Sequence, residues 1–314
     1  MRFRMPAVLT LLLVLIPAAS SLAQSPDEAG GKKHMTMRES LLLPSWTSFS
    51  LAPDNHQVLL TKWESVPEDG ESLTHIWVHD LDVGESYQLT TSPRGENGPR
   101  WLPDGRVLFT SLRGDEEDAE GRLWVISPSG GEAMPFFEDE EAPSSGDFTS
   151  DYGMVAYTET SERPDKEEWE ERRKVRDDAY YAERKLTYTH IWTYDVETGE
   201  KVQITEGDFD HQGPQWSPDG NWIAFTSNRT GTRMGDPDRS DNSDVLLIPA
   251  DGGESLNLTS SNNGPDRSPT WSPDGTRIAY TGSLDENSGA SQSDLFVVPV
   301  DGGLPHNLTE NLDY

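Results

Sequence analysis

The sequence contains no cysteine and few basic residues. Without cysteine the chain can form neither a disulfide framework nor a lipid-attached cysteine. Its 25 lysine and arginine residues, of which only 7 are lysine, stand against 56 aspartate and glutamate residues, which gives a formal net charge of −31. This balance argues against nucleic acid, which needs a basic surface, and against anionic membranes as partners. An acidic, lysine-poor surface also suggests a halophilic source, because salt screens the repulsion between like charges.

Long apolar runs are also missing, with one exception at the N-terminus. Two arginines precede an apolar run over residues 7–16, and small residues around Ala23 follow it. This pattern is typical of a secretory signal peptide over residues 1–23, and the run is too short to span a membrane. We therefore expect a periplasmic or secreted protein, cleaved after Ala23, with a linker over residues 24–39.

One phrase recurs in the chain, as "WSPDGNWIAFTS" from Trp216 and "WSPDGTRIAYTG" from Trp271. Its first half is turn chemistry: Pro218 presets φ, Asp219 can bond its own backbone, and Gly220 tolerates a positive φ. Its second half is rich in the aromatic and β-branched residues that suit strands. The phrase therefore predicts a tight turn followed by a buried strand.

Looser copies of the phrase bring the total to five. The turn aspartates are Asp54, Asp104, Asp151, Asp219 and Asp274, at intervals of 50, 47, 68 and 55 residues. Four copies close on a Leu-Thr or Ile-Thr pair, at Thr90, Thr205, Thr259 and Thr309. A period of about 40 to 50 residues that holds about four strands is typical of a β-propeller blade.

The predicted fold is all-β, a β-propeller of at least five four-stranded blades over residues 40–314. The blades are expected at about 46–90, 101–137, 148–205, 216–259 and 271–309. We expect this propeller to be incomplete, because closure requires the first and last blades to meet and an unclosed propeller exposes strand edges.

The third interval is longer than the others because of a charged segment from Pro164 to Lys185. Asp165 can cap a helix there, with Glu168 three residues later, which predicts one helical insertion in the propeller. A solvated charged excursion is the alternative interpretation. If the insertion marks a docking or gating surface, its candidate contacts with another domain are Trp169, Arg172, Arg173, Tyr180 and Tyr181.

The repeated WSPDG blades, the charged insertion and the following "YTHIWTYDVETGEKVQIT" resemble the N-terminal propeller of the prolyl oligopeptidase family of serine peptidases, in particular its acylaminoacyl-peptidase-like branch. TolB-like periplasmic propellers use the same repeated phrase. The resemblance covers the chain from about Ser40 onward. It implies a propeller that limits the access of peptides to a Ser-Asp-His triad on a C-terminal α/β-hydrolase domain.

The sequence departs from that family at the catalytic motif. No Gly-x-Ser-x-Gly occurs in the 314 residues, so the nucleophile is absent from this chain. We expect a substrate-gating propeller truncated before its catalytic domain, without catalytic residues, cofactor or metal, which meets peptide substrates through the missing hydrolase domain. The alternative is a stand-alone TolB-like module that binds a protein partner. A glycosidase-like carboxylate pair in the central tunnel ranks last.

Two groups of residues could suggest a metal site. His75 and His79 share one face of a strand, but His190 begins the equivalent strand of another blade, which favours a structural role over zinc. The aspartates of "GDPDRSDNSD" lack the glycine and glutamate of a helix-loop-helix calcium loop, so an acidic, solvated loop is favoured. These aspartates are Asp236, Asp238, Asp241 and Asp244.

Overall fold

The computed structural model describes seven stretches of the chain: residues 44–66, 71–113, 121–139, 141–162, 187–229, 242–284 and 293–312. All of them belong to one compact unit, Pro44–Tyr314. The described residues form strands and turns, with no helix among them. The predicted signal peptide and linker, and the helix predicted over Pro164–Lys185, lie outside the described residues.

Twenty strands form five sheets. The first sheet contains β1 (Ser45–Leu51), β2 (Gln57–Val66), β3 (Glu71–Asp80) and β4 (Glu85–Gln88). The second contains β5 (Glu96–Trp101), β6 (Val107–Ser111), β7 (Arg122–Ile126) and β8 (Met134–Pro135). The third contains β9 (Asp147–Phe148), β10 (Met154–Thr160), β11 (Thr189–Asp195) and β12 (Lys201–Gln203). The fourth contains β13 (His211–Trp216), β14 (Trp222–Ser227), β15 (Asp244–Pro249) and β16 (Leu256–Asn257). The fifth contains β17 (Asp266–Trp271), β18 (Arg277–Gly282), β19 (Asp294–Pro299) and β20 (His306–Asn307).

Each sheet is an antiparallel meander whose spatial order follows the sequence. Five successive four-stranded meanders are the blades of a β-propeller, so the predicted fold class is confirmed. The first strands of neighbouring sheets contact one another, β1 with β5, β9 with β13 and β13 with β17. We call them the inner strands, because these contacts place them around the centre of the propeller.

The turn aspartates act alike in all five blades. Each accepts a hydrogen bond on Oδ1 from the backbone N–H two residues later, at 2.9 to 3.1 Å. In the last blade the Ser272 hydroxyl and the hydroxyl and N–H of Thr276 also donate to Asp274, and these bonds hold the pKa of Asp274 at about 2. The repeated aspartate thus closes the turn between the first and second strands by bonding locally to the backbone.

The closing threonines explain the repeated Leu-Thr and Ile-Thr pairs. In four blades the threonine Oγ1 accepts the backbone N–H of a residue on the third strand, fourteen positions earlier, at 2.9 to 3.0 Å. The N–H donors belong to Ile76, Ile191, Val245 and Leu295. The hydroxyl therefore continues the ladder just beyond the short fourth strand, where a strand carbonyl is missing.

Hydrophobic packing joins each sheet to the next. Four clusters lie between the first and second, second and third, third and fourth, and fourth and fifth sheets. Phe109 and Phe225 are fully buried in two of them. Among the described residues no such cluster joins the fifth sheet to the first, and Phe49 on β1 is 73% exposed. The described sheets therefore form an arc whose first sheet shows apolar surface.

Hydrogen bonds from aromatic side chains also join neighbouring inner strands. The Trp101 indole N–H donates to the carbonyl of Ser50 at 3.1 Å, and the Trp271 indole donates to Gln215 at 3.0 Å. In the third blade, which lacks the tryptophan, the Tyr152 hydroxyl donates to the carbonyl of Trp101 at 3.1 Å. In three blades an aromatic side chain therefore orients the blade against the preceding one, whereas in the fourth the buried indole N–H of Trp216 has no partner among the described residues.

Three inner strands share a β-bulge. The register of β5, β13 and β17 shifts after the strand's second residue, and a residue with positive φ lies at each shift. These residues are Gly98 (φ 60), Gly213 (φ 61) and Ser268 (φ 56), and each is followed by a proline. Glycine adopts this backbone conformation without steric cost, whereas serine does not.

Replacing Ser268 by glycine is expected to stabilise the protein. Because Ser268 has the positive φ that its two glycine counterparts also have, Ser268→Gly should raise the free energy of unfolding by about 0.5–1 kcal/mol. Urea unfolding with an unchanged m-value measures this. The matched control is Gly213→Ser, where an added Cβ meets no atom within 4 Å, so a loss of similar size isolates the backbone effect. No gain in Ser268→Gly would contradict this account.

Removing a closing hydroxyl is expected to destabilise the protein. Thr205→Val keeps the shape but leaves the buried Ile191 N–H without its acceptor, which should cost about 1–3 kcal/mol. Thr158→Val, at an exposed position of β10, is the control and should change stability by less than about 0.5 kcal/mol. Equal effects of the two changes in urea unfolding would refute the role of the hydroxyl.

Candidate functional site

Long connections leave from one end of the propeller. They join the second strand to the third in four sheets: β6–β7, β10–β11, β14–β15 and β18–β19. The corresponding β2–β3 connection of the first sheet spans only residues 67–70. The aspartate turns lie at the opposite end, because successive connections of a meander alternate between its ends. The β10–β11 connection carries the predicted contact residues Trp169, Arg172, Arg173, Tyr180 and Tyr181, all of which lie outside the described residues.

Buried polar side chains gather at this long-connection end. At this end the first residue of an inner strand packs beside the start of the third strand of the preceding sheet. We use the term "junction" for each such place. Glu96, His211 and Asp266 are the first residues of β5, β13 and β17, and none is more than 1% exposed. Each lies five residues before the tryptophan of its blade.

The first junction is built around Glu96, whose carboxyl group is surrounded by donors. Oε1 accepts from the Ser92 N–H at 2.9 Å and from the Arg113 guanidinium at 2.8 Å. Oε2 accepts from the Thr90 hydroxyl at 2.8 Å and lies 3.0 Å from Nδ1 of His75. An ion pair and three further polar contacts therefore compensate the burial of this acid.

A histidine pair forms the junction between the third and fourth sheets. The ring centroids of His190 and His211 are 5.7 Å apart, and the His211 ring also meets Phe225 edge-on at 5.5 Å. Burial lowers the pKa of His211 to about 4, with a smaller contribution from the neighbouring His190. Burial also lowers the pKa of His190. His211 is therefore neutral at physiological pH, as its apolar surroundings require.

Two aspartates form the junction between the fourth and fifth sheets. Asp266 is fully buried, and its Oδ1 accepts from the Asn262 amide at 2.8 Å. Burial, and to a smaller degree the charge of Asp244, raises the pKa of Asp266 to about 6. Asp244 is 1% exposed, and burial raises its pKa as well. From the sequence, Asp244 is predicted to lie in a solvated loop. That interpretation is wrong for this residue, because it begins the buried strand β15.

The histidines singled out from the sequence take different positions. His75 in the Glu96 junction and His190 in the histidine junction occupy equivalent places. His79 is elsewhere, with its Nδ1 2.8 Å from the exposed Ser86 hydroxyl. In the parts of the chain that the structure describes, no group of three or more histidine or acidic side chains could hold a metal ion. The described residues include no helix that is long and apolar enough to cross a membrane.

Polar side chains follow the junction residues at the centre of the propeller. Asn97, Gln212 and Arg267 are each the second residue of an inner strand, and all three are exposed. Asn97 accepts a hydrogen bond from the Thr74 hydroxyl of the first sheet at 2.8 Å. The inner surface therefore exposes side chains that can form hydrogen bonds, while the buried junction residues lie behind them.

Comparisons with known proteins by sequence and by structure both find relatives of this chain. The uncharacterized peptidase YuxL of Bacillus subtilis is 30% identical over 213 residues, 64% of this chain and 32% of that protein. The Pyrococcus horikoshii acylaminoacyl peptidase superposes with a TM-score of 0.57 at 16% identity, over 86% of this chain and 40% of that one. TolB from Agrobacterium tumefaciens superposes with a TM-score of 0.52 at 17% identity, over 84% of this chain and 80% of that one.

The chain is a β-propeller of the kind found in TolB and acylaminoacyl peptidases. The predicted relation to the propeller of the prolyl oligopeptidase family is confirmed by this likeness together with the peptidase relative. No protein-family model matches the chain. The matches span between 27% and 42% of the length of its curated relatives.

Asp266→Asn is expected to stabilise the protein near neutral pH in the absence of divalent cations. A raised pKa means that the folded state binds a proton between about pH 6 and 4 that the unfolded state does not, so the native carboxyl group destabilises the fold most above pH 6. The free energy of unfolding of the variant, which has a neutral amide, should exceed that of the wild type by about 1–3 kcal/mol at pH 7.5. This difference should shrink as the pH falls to 4. Urea unfolding at several pH values with a chelator tests this; a gain independent of pH would contradict it.

The pH dependence of His211→Gln is expected to have the opposite sign. Because the pKa of His211 is lowered to about 4, the unfolded state binds a proton between pH 6.5 and 4 that the folded state refuses, and wild-type stability falls in that interval. The variant lacks this titration. The difference in unfolding free energy between wild type and variant should therefore fall from pH 7 to pH 4, whatever its value at pH 7. Parallel curves would show that His211 does not titrate in this way.

Proposed function

We propose that the chain is the substrate-gating propeller of an exported serine peptidase of the acylaminoacyl-peptidase type. The observation that carries the proposal is the 30% identity to a Bacillus peptidase over 213 residues, in a chain that folds as five WSPDG blades. In the complete enzyme an α/β-hydrolase domain would supply the nucleophile and triad. The propeller would contribute access control rather than chemistry.

The inner surface suits this role. A peptide that enters the centre meets exposed groups such as Asn97, Gln212 and Arg267, which exchange hydrogen bonds with water or with a passing backbone. The hydrophobic clusters lie between the sheets and are not available to it. Such a surface admits short or unfolded peptides without retaining them.

The long-connection end would face the hydrolase domain. The long connections of four blades leave from it, among them the insertion with Trp169, Arg172, Arg173, Tyr180 and Tyr181, the proposed interdomain contacts. Export would follow from a signal peptide over residues 1–23, with the acidic surface in contact with a periplasmic or extracellular medium.

A stand-alone TolB-like binding propeller is the second candidate. It is favoured by the superposition on TolB, which covers 80% of that chain, compared with 40% of the acylaminoacyl peptidase. In this case the partner would be a protein that binds one end of the propeller.

Reading the genomic DNA beyond codon 314 distinguishes the two candidates. The peptidase proposal expects further blades in the same frame, then a Gly-x-Ser-x-Gly with a later aspartate and histidine. The whole product should then hydrolyse short acyl-peptides but leave folded proteins intact, and the change of its nucleophilic serine to alanine should abolish turnover. A stop codon after Tyr314, together with a cooperatively unfolding monomer, would overturn the proposal in favour of the binding module.

A further inference from the structure

The junctions are built from equivalent positions, so they can be compared residue by residue. Glu96 and Asp266 are both first residues of inner strands, and they pair with Ser111 and Gly282 respectively on the second strands. Arg113 lies two residues after Ser111, and Leu284 lies two residues after Gly282. Leu284 therefore occupies the position from which the arginine of the first junction reaches its acid.

The second donor is replaced as well. His75 directly precedes Ile76, whose N–H bonds to a closing threonine, and Asp244 directly precedes Val245, which makes the same bond. Asp244 therefore stands where the first junction has a histidine. At the junction of the fourth and fifth sheets, therefore, Asp266 has a leucine in place of the arginine and a second acid in place of the histidine.

The two acids are held close by the backbone and deep in the protein. The Asp266 N–H donates to the carbonyl of Ser243 at 2.7 Å, and the Ser243 hydroxyl donates back to the carbonyl of Asp266 at 2.9 Å. Ser243 is the neighbour of Asp244, whose charge acts on Asp266. Oδ2 of Asp266 has no hydrogen-bond partner among the described residues. The charge of Arg229 acts on Asp244. Among the described residues, however, no ion pair reaches Asp266, and a buried acid of this kind is costly unless a cation or a proton compensates it.

We propose that a calcium ion binds at this junction, between Asp244 and the free Oδ2 of Asp266, in the place of the missing arginine. The side chains of Asn242 and Thr259 donate hydrogen bonds to Asp244 and Asp266 respectively, so polar side chains already surround both carboxyl groups. Calcium accepts six to eight oxygen ligands in flexible geometry, with carboxylates and amide oxygens among them. Magnesium keeps several of its waters, for which a fully buried carboxyl group leaves little room.

Thermal unfolding of the full chain tests the proposal. After dialysis against a chelator, 10 mM calcium should raise the Tm of the wild type by about 2 °C or more at pH 7.5, whereas magnesium at equal concentration and sodium at equal ionic strength should give clearly smaller shifts. Leu284→Arg supplies the missing cation and should lose the calcium response, with a Tm in chelator at least equal to that of the wild type.

A matched control separates this site from general charge screening, which a chain of net charge −31 also experiences. Leu112→Arg adds the same charge beside the first junction, which already has Arg113, and should keep the full calcium response. Asp266→Asn should lose the response and serves as the second variant if Leu284→Arg does not fold. A wild type that responds equally to magnesium, or only to lowered pH, would overturn the proposal. So would an undiminished response in Leu284→Arg.

Discussion

The face-to-face packing of sheets is the constraint on which the rest of this structure depends. A four-stranded meander has two faces and can cover neither of them alone, so every blade is stable only through its neighbours. Leu59 and Phe109 bury themselves between the first two sheets, and Ile223 and Ile248 take part in the same way further along. Turn aspartates, closing threonines and indole hydrogen bonds all maintain the angle and register at which this packing is continuous.

The junctions show how that packing constrains charge. The inner strands β5, β13 and β17 each begin with a polar residue that the preceding sheet covers, and the three junctions compensate the burial of that residue differently. Glu96 is compensated by an ion pair with Arg113, and His211 is neutral because burial lowers its pKa. Asp266 has neutral donors and an acidic neighbour among the described residues, and burial raises its pKa to about 6.

The sequence predicted the blades because their signals are local. Asp219 and Gly220 act within one turn, and the strand after them follows from residue type alone. The inner strands were not predicted, since "HQGPQW" has little strand propensity and forms its strand around a bulge. The junctions were missed for a different reason: Glu96, His211 and Asp266 differ in chemistry, and only their constant spacing of five residues before a tryptophan connects them.

The inner strands are sheet edges, and edges normally recruit other strands. In β5, β13 and β17 a bulge and a proline lie in the middle of that edge, and proline has no N–H to donate. An extended polypeptide at the centre therefore finds no continuous ladder to join. The inner edges of these three blades are therefore poor templates for strand addition, although they are unpaired.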